Sequence, residues 1–283
     1  MMCQFEIINL PAAYILIGLF ALAIGSLLNV IIYRLPIMLL EDWNKEARHL
    51  TNSTTKINLF FPRSFCPKCK TTIPAKFNIP ILSYCLLRGR CRQCKQPISL
   101  RYPLVELLSC LLALLAVWHF GFNLSLLFAL LYIWILIALC FIDLEHQLLP
   151  DSLTLGLLWL GLIANNQALF TTLNDAVLSA AVGYLTLWFF IKLFYLFTGK
   201  IGMGNGDFKL FAAFGAWFGW TQLPLILLLS SLTGAIIGLI YLKTRSKTRD
   251  TPIPFGPFLC FAGIVALFWG KTIIDWYLSL WFY

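Results

Sequence analysis

The sequence predicts an all-α polytopic membrane protein, with about eight transmembrane helices and a cytoplasmic loop domain between helices 1 and 2. Three observations carry that expectation. Of the 283 residues, 60% are hydrophobic and 12% charged, about half the charged fraction of an ordinary soluble domain. The 24 Phe, 10 Trp and 10 Tyr bring more aromatic surface than one aqueous core of this length could hide. Apolar runs of about 20 residues, the length that crosses a bilayer, recur along the chain. A soluble enzyme, a disordered chain and a small disulfide-stapled domain are excluded.

The first run, Pro11 to Tyr33, follows MMCQFEIINL, which has Glu6 and no Lys or Arg. A secretory signal would carry a basic segment there, so a retained helix is expected. Further runs fall at about 103–119, 124–142, 152–168, 176–198, 208–220, 223–242 and 256–281. The shortest, 208–220, suits a tilted or half-buried helix. The stretch TPIPFGP at 251–257 reads as a stiff, Pro-rich entry to the last span.

Charge orients these spans. Thirteen of the 21 basic residues lie between Arg34 and Arg101, opposed by Glu41, Asp42 and Glu46, for a net +10. A basic block can bind nucleic acid, but membrane orientation explains this one more simply, and no nucleic-acid partner is expected. With the 34–102 loop inside, the inner loops also hold Lys200, Lys209, Lys243, Arg245, Lys247 and Arg249. The outer segments hold Asp175, Asp275 and Lys271.

Within the basic loop, Cys66-Pro-Lys-Cys69 and Cys91-Arg-Gln-Cys94 are separated by 21 residues. Each C-x2-C turn aims two sulfurs at one point, and two turns complete a tetrahedral thiolate site for structural zinc. Cytoplasmic thiols stay reduced, so disulfides explain the pattern less well. Four protein ligands leave no open position for catalysis. Cys3, Cys85, Cys110, Cys140 and Cys260 lack paired spacing and read as apolar filler.

Carboxylates at membrane depth are costly and tend to be functional. Glu106 sits one turn into the second span, in RYPLVELL. Asp143 closes the third span in FIDLEHQLLPD, and Asp207 follows Gly202-Met-Gly204-Asn-Gly206 at the start of the sixth. On this topology Asp143 and Asp207 share the cytoplasmic face. They either cap helix ends and pair with Lys200 and Lys209, or form a paired-carboxylate site that activates water. The glycines do not make a nucleotide loop, because no Walker lysine-hydroxyl pair follows. They would let backbone lie close to a reacting peptide. His49 and His119 stand alone, and His146 reads as interfacial. Gly234 and Gly238 fit a small-residue helix contact.

Taken together, these motifs resemble the bacterial prepilin peptidases, or type IV leader peptidases. The Gly-Met-Gly-Asn-Gly-Asp-Phe-Lys-Leu stretch and FIDLEHQLLPD resemble the family's two aspartate motifs. GSLLNVIIYRLP from Gly25 to Pro36 resembles its N-terminal signature, CPKC and CRQC its zinc loop, and RYPLVELL and PFGPF further family patterns. The resemblance covers almost the whole chain. It implies a bifunctional aspartic endopeptidase and N-methyltransferase of the inner membrane. Such enzymes remove the basic leader of type IV prepilins and pseudopilins after glycine at the cytoplasmic face. They then methylate the new N-terminal residue, usually Phe, with S-adenosylmethionine as donor.

Carried over, the resemblance implies Asp143 and Asp207 as the catalytic pair, Gly204 and Gly206 as the peptidase loop, and zinc at Cys66, Cys69, Cys91 and Cys94. It implies Gly25, Asn29, Arg34, Gly89 and Glu106 for the methyl donor. The chain would then divide into a first helix (1–33), a zinc loop forming the methyltransferase region with its flanking helices (34–102) and a transmembrane peptidase domain (103–283). The polar stretch Met38 to Phe61 is longer than the family pattern. Two other classes fit the bare residues: a proton-coupled transporter using the two aspartates, and a non-catalytic zinc-loop adaptor of a secretion system.

Overall fold

A computed structural model of the chain describes residues 10–48, 58–66, 68–74, 79–199, 202–245 and 254–282. Cys3, His49, Lys200, Lys247, Arg249 and positions 49–57 of the polar stretch lie outside them. Among the described residues every regular element is a helix: α1 Leu10–Arg48, α2 Leu82–Leu86, α3 Arg101–Phe120, α4 Leu124–His146, α5 Asp151–Asn166, α6 Leu173–Thr198, α7 Asn205–Phe218, α8 Leu223–Arg245 and α9 Gly256–Phe282. Each apolar run of the sequence is one of these helices. Six are long and apolar enough to cross a membrane, while α5 has 16 residues and α7 has 14. The chain is a helical membrane protein.

Helix ends follow local chemistry. The Asn123 side chain accepts from the Leu126 N–H at 3.0 Å and caps α4, and Thr172 caps α6 through the Asp175 N–H. Gly121, Gly199 and Gly219, all at positive φ, stop α3, α6 and α7. Helix α1 continues past the expected end at Tyr33, through Pro36, to Arg48. The residues there, LLEDWNKEAR, are mostly good helix formers.

The chain divides into two compact units, Met1–Phe122 and Asn123–Tyr283. In the first, α3 packs on α1, and both flank the cysteine loop. The contact needs glycine: a Cβ on Gly25 would lie 2.7 Å from the Glu106 Cα. The Ser109 hydroxyl donates to the Ala21 carbonyl at 2.7 Å across the same crossing.

The second unit is built around α7, whose residues Phe208 and Leu210 to Phe218 are all buried. A helix apolar on all sides belongs inside a bundle, and α4, α5, α6, α8 and α9 complete this one. Trp217 donates from Nε1 to the Leu157 carbonyl at 2.8 Å, and its ring packs tilted against that of Tyr132, with centroids 4.6 Å apart. Gly161 leaves room for it, since a Cβ there would meet the indole at 2.5 Å. Asn165 ties the far end, donating to the Ala216 and Trp217 carbonyls and accepting from the Phe170 and Thr171 amides. Gly234 rests against Phe258 of α9, as a small-residue contact should.

Candidate active site and metal centre

Asp143 lies in the last turn of α4, where Gln147 turns left-handed and sends its N–H back to the Asp143 carbonyl at 2.9 Å. Asp207 lies in the first turn of α7, and its Oδ2 accepts from the Gly204 N–H at 3.2 Å. That reach back to the helix start is half of a capping box. Both carboxylates are buried, at 5% and 7% exposure. They are near enough for the charge of Asp143 to act on Asp207. The fold therefore brings together two carboxylates 64 positions apart in sequence, one at the C-terminal end of α4 and one at the N-terminal start of α7.

Their surroundings are narrow. The Gly256 N–H bonds to Asp143, and a Cβ on Gly256 would lie 2.5 Å from Asp143 Oδ2. A Cβ on Gly206 would lie 2.7 Å from the Leu149 Cβ, and the Leu149 side chain also borders Gly256. Gly256 thus allows backbone against Asp143, and Gly206 lets Leu149 pack close to the start of α7. Gly204 is different: its φ is −80° and a Cβ there finds ordinary room, 3.7 Å from Asp207 Oδ2. Its contribution is the amide. Asp207 Oδ1 is buried without a hydrogen-bond partner among the described residues.

Lys209 does not pair with either aspartate, and Lys200 lies outside the described residues. Lys209 Nζ is 2.6 Å from both carboxylate oxygens of Asp151, which opens α5. His146 is exposed. The roles of Gly256, Leu149 and Asp151 were not read from the sequence. Gly256 carried a signal, as the glycine inside PFGPF, whereas Leu149 is one leucine among many.

In the first unit, Gly25, Asn29 and Glu106 meet where α1 crosses α3. Asn29 Nδ2 donates to the carbonyls of Gly25 and Tyr102, at 3.3 and 3.1 Å, and its Oδ1 is buried without a partner among the described residues. Glu106 Oε2 accepts from the Ile81 N–H at 2.7 Å. Arg34 stands apart from these, its guanidinium spent on the carbonyls of Asn58, Leu59 and Pro62. Gly89, at φ +66°, belongs to the cysteine loop, where a Cβ would meet the Tyr84 hydroxyl at 2.9 Å.

Cys66, Cys69, Cys91 and Cys94 place their sulfurs within 4.8 Å of one another. Two near-identical turns do this. Cys66 N–H donates to the Thr71 carbonyl and Lys70 N–H to the Cys66 carbonyl; Cys91 and Lys95 repeat the pattern with Gln96. Lys70 and Lys95 both sit at positive φ, 61° and 57°. Cys66 and Cys94 are 3.9 Å apart, Cys69 and Cys91 4.0 Å. Sulfurs on a tetrahedral zinc at about 2.3 Å stand about 3.8 Å apart, so this cluster fits such an ion. The Thr71 hydroxyl and amide hold the Cys69 thiol down to about 6. The Gln96 amide lowers Cys94, but desolvation and the neighbouring sulfurs outweigh it and push that thiol up to about 11.

Comparison with known proteins gives the family. Residues 19–120 match the Bacterial Peptidase A24 N-terminal domain, and residues 130–239 match the Type IV leader peptidase family. A Legionella pneumophila protein named prepilin leader peptidase/N-methyltransferase is 63% identical over 97% of this chain and 98% of its own length.

The chain belongs to the type IV leader peptidase family.

Other members with the same name, from Aeromonas hydrophila and Pseudomonas aeruginosa, are 52% and 50% identical, over 96% and 95% of both chains. No solved structure matches the chain. The N-terminal family domain spans the cysteine cluster and the α1–α3 crossing, and the leader peptidase segment spans both aspartates.

Proposed function

We propose that the protein is a membrane-embedded aspartic endopeptidase that also acts as an N-methyltransferase. It removes the basic leader of type IV prepilins and pseudopilins after glycine, at the cytoplasmic face of the inner membrane, and methylates the new N-terminus. The observation that carries this reading is the buried pair Asp143 and Asp207, each bonded to a glycine amide, in a chain of the type IV leader peptidase family.

The chemistry follows from paired carboxylates. One, ionised, accepts a proton from water as the water oxygen attacks the scissile carbonyl. The other, protonated, donates to the carbonyl oxygen, giving a tetrahedral diol. Collapse breaks the C–N bond, and the proton taken from water passes to the leaving nitrogen. The leader keeps a glycine carboxylate, and the mature chain gains an α-amine. The Oδ1 of Asp207, buried with no hydrogen-bond partner among the described residues, is an acceptor for the water. A prepilin, with a basic leader ahead of an apolar helix, can hold that helix in the bilayer while its cleavage site enters at the helix ends.

Methyl transfer is assigned to the zinc loop (34–102) with its flanking helices, and cleavage to the peptidase region that follows. When bound, S-adenosylmethionine supplies an electrophilic methyl group. Glu106 and Asn29 Oδ1 are two buried acceptors at the α1–α3 crossing. Both suit an ammonium group, and the Glu106 carboxylate can take the proton that the α-amine loses. Gly25 contributes close packing behind them, Arg34 and Gly89 the shape of the loop. Zinc, at the four cysteines, would be structural and hold the loop closed. The test is to incubate purified protein with a prepilin and S-adenosylmethionine and weigh the product N-terminus. A cleaved and singly methylated product is expected; an intact leader overturns the assignment.

A further inference from the structure

The turn at 58–62 is unusual for a loop in water, because its backbone is satisfied from within. Arg34 donates to the carbonyls of Asn58 at 2.8 Å, Leu59 at 3.2 Å and Pro62 at 2.5 Å. The Asn58 side chain accepts from the amides of Phe60 and Phe61, at 2.9 and 2.5 Å. The Asn58 N–H donates to the Phe61 carbonyl at 2.9 Å. Water would serve these groups at little cost, whereas in lipid each unsatisfied one costs several kcal/mol. Yet the side chains the turn displays are apolar: Phe60 is 83% exposed and Phe61 67%.

The position of Arg34 says what medium they meet. Arg34 lies about 35 Å along α1 from Pro11, at about 1.5 Å per residue. That is past a hydrocarbon layer of about 30 Å but inside the 40–45 Å that includes the headgroups, roughly. The buried guanidinium of Arg34, 4% exposed, fixes the turn at that depth. Leu40 and Trp43, exposed on the next turns of α1, continue the apolar character, and aromatic side chains concentrate at this layer. Arg63, Lys68 and Lys70 follow the turn and are exposed, as contacts to anionic headgroups require.

We infer that Phe60 and Phe61 form a membrane-interface anchor: they dip into the lipid around α1 and seat the cysteine loop on the bilayer surface. The occupant of this apolar tip is phospholipid. The anchor is independent of what the aspartates do, and it gives the described end of the long polar stretch a role.

The test uses the full chain in vesicles of phosphatidylethanolamine and phosphatidylglycerol. A benzophenone amino acid replaces Phe60 or, separately, Phe61. The same probe at Phe20, exposed on the apolar part of α1, reports lipid, and at Gln96 on the cysteine loop it reports water. After illumination, phospholipid adducts are counted by mass. Adduct yield at 60 and 61 should approach that at 20 and exceed that at 96 on the order of tenfold, as for an interfacial side chain. Retained zinc and a normal signal at position 20 show that each variant is folded. Adducts only to protein, meaning that the tip docks on another chain or folds back, overturn the inference. So does a yield no higher than at position 96.

Discussion

A carboxylate acts as an acid or base only where something holds it in place, and here glycines hold both. Asp143→Asn and Asp207→Asn should each lower leader cleavage by at least about 100-fold, the scale of lost acid–base catalysis, while the protein still inserts in the membrane. Near-normal cleavage by either variant removes that residue from the site. Gly256→Ala is a finer probe, because the added Cβ lands 2.5 Å from Asp143 Oδ2. Displacing a reacting group by about 1 Å can cost about 100-fold, so this variant should bind prepilin yet cleave it slowly, a fall in kcat with KM kept. Alanine at Gly204, with ordinary room for a Cβ, should be milder than at Gly206. In the other unit, Glu106→Gln should depress methylation more than cleavage. Equal losses would leave Glu106 with only its structural bond to Ile81.

At the scale of elements, the cysteine loop depends on its ligands more than on a core. Among its described residues it has one five-residue helix and two isolated β-bridges, Phe65 with Thr72 and Arg90 with Pro97, so metal coordination should supply much of its folding energy. Cys66→Ser or Cys91→Ser should make 62–102 sensitive to protease and abolish a one-to-one zinc content. Thiol chemistry gives a second check. A thiol reacts as thiolate, so one held down to about 6 labels at lower pH than one pushed up to about 11. In protein stripped of metal but still protease-resistant across 62–102, iodoacetamide followed across pH should mark Cys69 at lower pH than Cys94. Zinc should protect both, and its affinity should fall as acid protonates the ligands. Labelling of Cys94 before Cys69 would contradict the hydrogen-bond arrangement at Thr71.

For the whole molecule, helix direction and charge make one joint statement. If the basic loop is inside and the chain alternates, the C-terminal end of α4 and the N-terminal ends of α7 and α9 all face the cytoplasm. Those are the ends that carry Asp143, Asp207 and Gly256. Reporter fusions after Ala168 and after Gly202 should therefore report opposite sides. Ala168 should lie outside and Gly202 inside; the same side for both would mean that α6 does not cross, and the reverse order that α5 does not. The two proposed activities also belong to different compact units. Asp207→Asn should still methylate a prepilin supplied already cleaved, and Glu106→Gln should still cleave.

The sequence by itself determined the helical membrane class, the apolar runs, the two cysteine turns and the family. Hydropathy, C-x2-C spacing and the aspartate motifs are local patterns, and local patterns survive in one dimension. It did not determine that α1 runs on to Arg48, because the residues after Tyr33 lose their apolar character without losing helix propensity. Nor did it show that Lys209 binds Asp151 rather than either active-site candidate, that Arg34 holds a loop turn, or that Gly256 and Leu149 close around the dyad. Those are contacts between segments distant in the chain. Only packing decides them, because a side chain's partner depends on which helix faces stack, and no single stretch of sequence contains that.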